Sequence, residues 1–449
     1  MTAGTRAALV GLLLLAALAP RVGPALRAYQ PSNDAAEHLL IARSLARGEG
    51  FTLPIRVRDV DGGPAVHDAY AERAPLYPWL LSVPVRLGVG ASGWPDPRLQ
   101  LLGVGLAALC APLAASVAAE LARRRGLGAR GQVVVAAGAG LVVAWAPSLV
   151  RASIHLWAEP LGLLLVLGAA RLDLALDRGG RARTAAAGLV GGLARFARPE
   201  AWVVAPLLLA RAVVRARRGQ TRWREVVALA GALTAVNAAG VAATGVVAPQ
   251  LFLLEVRRFE DAMGAGAAPA APGPVDVLVA VAANVAGQVE HLLLPKNAWL
   301  VLPLALLALL PGRPGAATAG DQRTAAALAD ERWLLGWAAA FVLATAGVWA
   351  TSDPHRFTIA PLALLAPVAL VEAEAWRRRL WPGRRAVLSA LAASLVLVLG
   401  HAAGRELRGR GPKPPPEVVA LEDVPALPDP WSYALLTGRP AVLARPPVR

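Results

Sequence analysis

Asp34 and Glu37 stand three residues apart in the polar stretch Tyr29-Gln-Pro-Ser-Asn-Asp34-Ala-Ala-Glu37-His38, which follows a single hydrophobic segment. On a helix that spacing puts both carboxylates on one face, here at a boundary between apolar chain and water. A carboxylate so placed could act as a general base on a hydroxyl group. The plainer alternative is that Asp34 only caps the helix that starts there. His155 and Glu159 are a second pair, one turn apart at the end of an apolar run. They could ligate a divalent cation or orient a ligand, but two ligands alone make a weak metal site, and a polar helix end explains them as well. Arg198 with Glu200, Arg257 with Arg258, His291 with Lys296, and Asp353 with His355 and Arg356 also flank apolar segments. A single cation in such a place commonly snorkels. As a set they point to a cavity, and guanidinium groups suit a phosphate.

Other chemistries lose their support. Gly88-Val-Gly90-Ala-Ser-Gly93 spells a dinucleotide fingerprint, but no strand precedes it and no βαβ unit surrounds it. There is no Walker motif, no His-Glu-x-x-His and no nucleophile elbow, which argues against ATP-driven transport and serine or zinc hydrolysis. The net charge of +16 invites a nucleic-acid reading. The basic residues, however, form short clusters between apolar segments, where the positive-inside rule places them. Lysine occurs only at Lys296 and Lys413, so the cations are almost all arginine. The single cysteine, Cys110, lies in an apolar run, leaving no disulfide framework and no thiol metal site.

The elements that must position these groups are membrane helices. The chain of 449 residues is 56% hydrophobic with a mean hydropathy of +0.50, against roughly 45–50% apolar content in a soluble domain. A span needs roughly 20 apolar residues. Candidates are 7–26, 99–120, 133–150, 156–176, 185–197, 201–214, 226–248, 299–310, 333–350, 357–375 and 386–403. The N-terminus resembles a signal peptide and reads as an uncleaved anchor. If 277–294 lies on the membrane surface or re-enters it, every arginine cluster (Arg123–Arg125, Arg178–Arg183, Arg215–Arg224, Arg377–Arg385) falls on one side. That side is cytoplasmic by the positive-inside rule, with the N-terminus inside and the C-terminus outside. The Asp34 stretch, 151–159, 198–200, 255–296 and 353–356 then converge on the extracytoplasmic side. Small residues at Gly138, Gly140, Gly191, Gly192, Gly231 and Gly240 would let helices approach closely.

The fold expected is therefore all-α: a polytopic transmembrane bundle of about eleven spans with two interfacial helices in its first extracytoplasmic loop. Residues 1–26 form the first transmembrane helix, 27–98 the extracytoplasmic catalytic loop, 99–404 the bundle and 405–449 a short extracytoplasmic tail. In the loop, 35–47 reads as an amphipathic interfacial helix capped by Asn33 or Asp34 and stopped by Gly48. Residues 52–69 read as a Gly/Pro-rich connector. A second interfacial helix begins at Pro75, with Tyr77 and Trp79 at headgroup depth. From Gly404 the tail is polar and Pro-rich, and Trp431-Ser-Tyr433 points to a small ordered cap.

At these residues the chain resembles the GT-C superfamily of polytopic glycosyltransferases, in particular the family of protein O-mannosyltransferases and the lipid A aminoarabinose transferase. The stretches that carry the similarity are Asp34-Ala-Ala-Glu37-His38 with Gly48, Gly50 and Phe51, and Ala69-Tyr70-Ala-Glu72-Arg73-Ala-Pro75-Leu76-Tyr77-Pro78. Glu159-Pro160, Arg198-Pro199-Glu200, Arg356-Phe357 and Thr437-Gly438-Arg439-Pro440 complete them. His38 stands where such sequences usually have Tyr, Ala74 stands where Pro is common, and the large C-terminal domain of some members has no counterpart. The resemblance implies that Asp34 is the base of an inverting transfer from a polyprenyl-phosphate sugar, with Glu37 orienting the acceptor or binding a cation. His38, Tyr70, Arg73, Tyr77, His155, Glu159, Arg198, Glu200 and Arg356 are then the candidate substrate-binding residues. The expected partners are the lipid-linked donor, membrane lipid and a glycan, lipid or protein acceptor. The expected location is the inner (plasma) membrane. No cofactor is named by the sequence, and a divalent metal is compatible with it without being required. The alternatives are a flippase for lipid-linked glycans, against which stands the lack of an internal repeat, and a surface-polysaccharide ligase or polymerase.

Overall fold

The computed structural model describes residues 1–27, 32–53, 55–58, 66–68, 74–91, 96–176, 179–244, 274–294, 300–310, 322–348, 354–380, 400 and 441–444. Tyr70, Arg73, Arg257, Arg258, Lys296, Asp353 and nearly all of the expected last span and tail lie outside these residues.

The first helix, α1 (Ala3–Leu18), is capped by Thr2, whose hydroxyl accepts from Thr5 N at 3.2 Å. The expected span 7–26 does not continue unbroken, because Pro20 has no N–H to extend the ladder; the chain turns into the short α2 (Val22–Ala25). Arg21 at that break is fully buried. Its Nη1 donates to Ala17 O at 2.5 Å and Ala144 O at 2.6 Å, and its Nε to Ser153 Oγ at 3.2 Å. One guanidinium thus satisfies carbonyls at the ends of two helices, which would otherwise be left without partners.

Helix α3 (Asn33–Arg47) stops as expected at Gly48, whose φ of 82° is the left-handed cap that glycine adopts without strain. Its start and its setting differ from expectation. Ser32, not Asn33 or Asp34, is the N-cap, accepting from Ala35 N at 3.4 Å. The helix does not lie half-exposed in an interface either. His38, Arg43 and Ser44 are buried along with Leu39, Leu40 and Ile41, and Arg43 Nε donates to Gly90 O at 2.9 Å. Helix α4 (Leu76–Arg86) packs along it. Trp79, Val83 and Leu87 are exposed on α4, whereas Tyr77 is fully buried. Gly88 and Gly90, both with positive φ, form the turn after α4, which gives the glycine fingerprint a backbone role.

The connector in the first loop is not wholly irregular. Strand β1 (Ile55–Arg58) pairs antiparallel with β2 (Val66–Asp68), with Val57 opposite His67. The far end of the chain joins them: β3 (Ala441–Ala444) runs parallel to β1, giving the order β2-β1-β3. This small sheet is the departure from an all-helical fold.

The bundle begins with α5 (Gln100–Arg124), entered through the 3₁₀ turn Pro97–Leu99. Helix α6 (Ala129–Trp145) is bent by 54° against α7 (Pro147–Ser153) at Pro147, so the expected span 133–150 is broken. Then come α8 (Glu159–Ala175), α9 (Arg181–Ala197), the 3₁₀ turn Pro199–Val203, α10 (Val204–Arg217) and α11 (Trp223–Thr244). The remaining helices are α12 (Pro274–Leu293), α13 (Val301–Leu306), α14 (Gln322–Val348), α15 (Pro354–Phe357) and α16 (Ile359–Leu380). The segment expected on the membrane surface falls in α12, where Asn284 Nδ2 donates to Ala346 O at 3.0 Å and Gln288 Oε1 pairs with Thr345 Oγ1 at 2.9 Å. Among the described residues, three helices are long and apolar enough to cross a membrane: Pro97–Arg124, Trp223–Ala243 and Ile359–Leu380, with the bent α6–α7 pair as a fourth if it counts as one span. The bundle is therefore polytopic and helical, but many of the expected spans are short pieces.

Helix α5 sits at the centre, against α1, α6, α7, α8, α14 and α16. Glycines of α6 allow two close approaches: a side chain at Gly138 would meet Leu370 of α16, and one at Gly140 would meet Leu13 of α1 and Ala111 O of α5. Gly231, expected to do the same, has nothing near it. At the end of the bundle that holds the N-terminus, acids inside apolar helices meet the arginine clusters. Glu120 takes Arg123 at 2.6 Å and Arg124 at 3.0 Å, Asp173 takes Arg211 at 2.5 Å, Asp330 bonds Arg124 and Arg211, and Arg125 pairs with Glu331 and Glu372 at 3.0 Å each. The opposite end carries Asp34.

Candidate functional site

Four separate segments deliver the site. Ser32 opens α3, and its hydroxyl also accepts from Trp157 Nε1 at 2.8 Å. That bond ties the start of α3 to the turn between α7 and α8. The turn is tight: Leu156, buried, has a φ of +50°, a conformation that costs a non-glycine residue free energy and recurs at functional sites. It sends Trp157 and Glu159 back toward α3. Glu159 is the first residue of α8, where a carboxylate suits the helix dipole.

Arg198 comes from the break between α9 and the Pro199–Val203 turn. The residue before a proline is pushed out of helical conformation, and Arg198 is extended, with φ −145° and ψ 127°. Its stem crosses α8 at Gly162, one turn beyond Glu159, where a Cβ would stand 2.5 Å from Arg198 Cγ. The absent side chain lets the guanidinium reach Glu159. Arg356 arrives from the short α15.

These residues form one continuous chain of ion pairs. Arg356 Nη1 bonds Asp34 Oδ2, and Arg356 Nε donates to Glu159 Oε1 at 2.5 Å. Arg198 Nη1 donates to the same Glu159 oxygen at 3.1 Å, and its Nε to Glu200 Oε1 at 2.7 Å. The Arg356 guanidinium also lies 4.3 Å from the centre of the Trp157 ring, a cation–π contact. Asp34 is thus no cap; its carboxylate is committed to a cation more than three hundred residues away. Burial works against the charge on Arg356, but Glu159 and Asp34 more than offset it and hold the guanidinium protonated above its usual range. Three carboxylates face two guanidiniums, and the Oε2 atoms of Glu159 and Glu200 are buried without a partner among the described residues. Glu159, Arg198, Glu200 and Arg356 line one small cavity with Phe341 and Phe357.

His38, one turn past Asp34, sets its ring edge-on to Tyr77 with centroids 5.2 Å apart. The Tyr77 hydroxyl is buried and bonds no described residue; burial first, and the charge of Glu159 second, hold it protonated. It can therefore only donate or accept a hydrogen bond. His155 packs on Trp157, with ring centroids 5.5 Å apart. Glu37 is half-buried one turn further along α3. Among the described residues no group of three or more His, Cys, Asp or Glu is placed to hold a metal ion.

Asp34, Glu159, Arg198, Glu200 and Arg356 are brought together; His38 and Tyr77 pair beside them. Ser32 and Trp157, which position the rest, were not among the expected residues. Tryptophan beside His155 and Glu159 was the signal available for the second.

No family model matches the sequence, and no curated protein matches it. Solved structures do. The chain is similar to ArnT from Cupriavidus metallidurans bound to undecaprenyl phosphate, with a TM-score of 0.50 and 14% identity over 91% of this chain and 76% of that one. The apo state of the same protein gives 0.49 and 14%, over 89% and 75%. The first likeness establishes a shared fold, the one anticipated by the motifs around Asp34 and Arg198.

Proposed function

We propose that the protein is a membrane glycosyltransferase that moves a sugar from a polyprenyl-phosphate donor to an acceptor hydroxyl on the extracytoplasmic side, with inversion at the anomeric carbon. Two lines support this: the fold it shares with a protein whose structure holds undecaprenyl phosphate, and the charged chain at one end of the bundle. The observation that carries the reading is Arg356, bonded at once to Asp34 and Glu159.

A donor phosphate is a strong acceptor for a guanidinium fork. On arrival it competes with the carboxylates for Arg356 and Arg198. Once Arg356 turns its Nη1 edge to the phosphate, Asp34 is released toward the acceptor hydroxyl. Asp34 takes that proton as the oxygen attacks the anomeric carbon, and the bond from carbon to the phosphate oxygen breaks. Lipid phosphate is already a good leaving group, so the site need only align the reactants and stabilise charge. Tyr77, kept protonated, offers a hydrogen bond to sugar or phosphate oxygen.

The test is Asp34→Asn. The amide has nearly the same size, and because Ser32 is the cap, helix α3 keeps its start. General-base catalysis contributes about 10²–10⁴-fold, so transfer from a synthetic polyprenyl-phosphate sugar should fall by at least that order while donor binding persists. Glu37→Gln should cost less. Full transfer by Asp34→Asn would remove Asp34 as the base.

A further inference from the structure

Trp157 carries a second cation that the chemistry above does not use. Arg151, in the last turn of α7, holds its guanidinium carbon 5.6 Å from the centre of the Trp157 ring. Arg356 lies 4.3 Å from the centre of the same ring. Helix α7 also packs against α15, the short helix that brings Arg356. Arg151 therefore stands at the end of the bundle that holds the ion-pair chain, but it arrives from a different element.

The three guanidiniums differ in what they hold. Arg356 bonds Asp34 and Glu159, and Arg198 bonds Glu159 and Glu200, so each is committed to two carboxylates. Arg151 makes no ion pair and no hydrogen bond with any described residue; its contact is the tryptophan ring. Its Nε is buried without an acceptor, while the side chain as a whole is partly exposed. A buried N–H without an acceptor is costly, and such a group in a native structure marks a place where something else binds. Contact with an aromatic ring uses up no N–H, so the whole fork is left for a bidentate anion.

We infer that Arg151 is the cation that first receives the donor's phosphate, an inference that rests on the polyprenyl-phosphate donor proposed above. A phosphate that met Arg356 first would have to displace two carboxylates; on Arg151 it displaces none. Held there, it lies beside the ring that Arg356 shares, where it can draw Arg356 Nη1 away from Asp34. Arg151 is thus a binding residue that admits the donor before the base is freed.

The experiment is calorimetric titration of the full chain in mild detergent with a polyprenyl phosphate and with the polyprenol of the same length, which lacks only the phosphate. The ratio of the two affinities isolates the phosphate contact, and the polyprenol titration reports whether each variant is folded. The parent should prefer the phosphate. Arg151→Gln should cut that preference about tenfold, the low end for a hydrogen bond between charged groups, and leave polyprenol binding as it was. Arg151→Lys should keep part of the preference, since an ammonium retains the charge without the fork. If Arg151→Gln binds no polyprenol, Arg151→Lys carries the test, and an undiminished preference in it overturns the inference. A parent without preference for the phosphate would overturn the donor reading and this inference together. A parent that prefers the phosphate, beside an Arg151→Gln variant that prefers it equally, would overturn the role of Arg151 alone. So would release of the polyprenyl phosphate by equimolar inorganic phosphate, which would make this a site for a free anion.

Discussion

Arg356→Gln removes the cation that joins Asp34 to Glu159, and its cost follows from the surroundings. Breaking a buried pair by deleting one partner costs about 3–5 kcal/mol, because a charge is left in a poorly solvated place. Two features pull the figure down. Glu159, only 3% exposed, keeps Arg198 at 3.1 Å, and Asp34, at 19% exposure, stays within reach of water. The expected loss is therefore about 3 kcal/mol, the lower bound of that range. Much of it is repulsion between two carboxylates that the guanidinium had held together. Glu159→Gln in the same chain removes one of them, so the double variant should recover about 1–2 kcal/mol, a coupling in the range seen for residues of one network. The measurement is a reversible titration with SDS in mixed micelles, followed by tryptophan fluorescence, on the parent, both singles and the double. If the double variant's loss equals the sum of the singles to within about 0.5 kcal/mol, Arg356 does not bridge the two acids and the ion-pair chain is not an energetic unit. Arg356→Lys should recover part of the stability but little turnover, since an ammonium cannot reach both carboxylates with a rigid fork.

Further expectations follow from single contacts. Gly162→Ala should push the Arg198 stem aside and cut transfer about tenfold, the 1.36 kcal/mol of barrier that one displaced positioning contact represents; unchanged kinetics would show that Arg198 reaches Glu159 by another path. Arg21→Met should destabilise the chain by about 2–4 kcal/mol, because Ala17 O and Ala144 O lose their donor in a dry setting, and an unchanged SDS midpoint would mean water replaces it. Reporter fusions after Arg130 and Arg217 should read on the same side of the membrane and on the side opposite the Asp34 loop; a split result would break the two-ended arrangement.

The charged residues of the site were legible because they interrupt apolar sequence. Asp34, Glu159, Arg198, Glu200 and Arg356 each mark a helix end, and Pro199 and Gly48 give the local reasons. Their joining was not legible. The bond from Arg356 to Asp34 spans 322 positions, and nothing local encodes it. Ser32-Asn33-Asp34 offers three consecutive residues able to cap a helix, and Ser32, the one that does, also takes a hydrogen bond from the distant Trp157, which nothing local encodes. The breaks in the expected spans 7–26 and 133–150 were hidden for a related reason. Short runs of Ala, Val, Leu and Gly look alike whether they cross a membrane or stop at Pro20 or Pro147. The acids at the basic end were overlooked because Asp173, Glu372 and the adjacent Asp330 and Glu331 sit inside otherwise apolar helices and take on meaning only opposite Arg124, Arg125 and Arg211.

The pairing of β3 with β1 bears on how the protein is made. Strand β1 leaves the ribosome hundreds of residues before β3, so their ladder cannot close until residues 441–444 have been made. Pairings between such distant segments form slowly, and until then β1 presents an open edge to any extended chain nearby. A nascent protein can thus have its helices and its ion-pair chain assembled while β1 still waits for β3. A copy cut short before β3 keeps the open edge of β1, which a protease or chaperone can recognise.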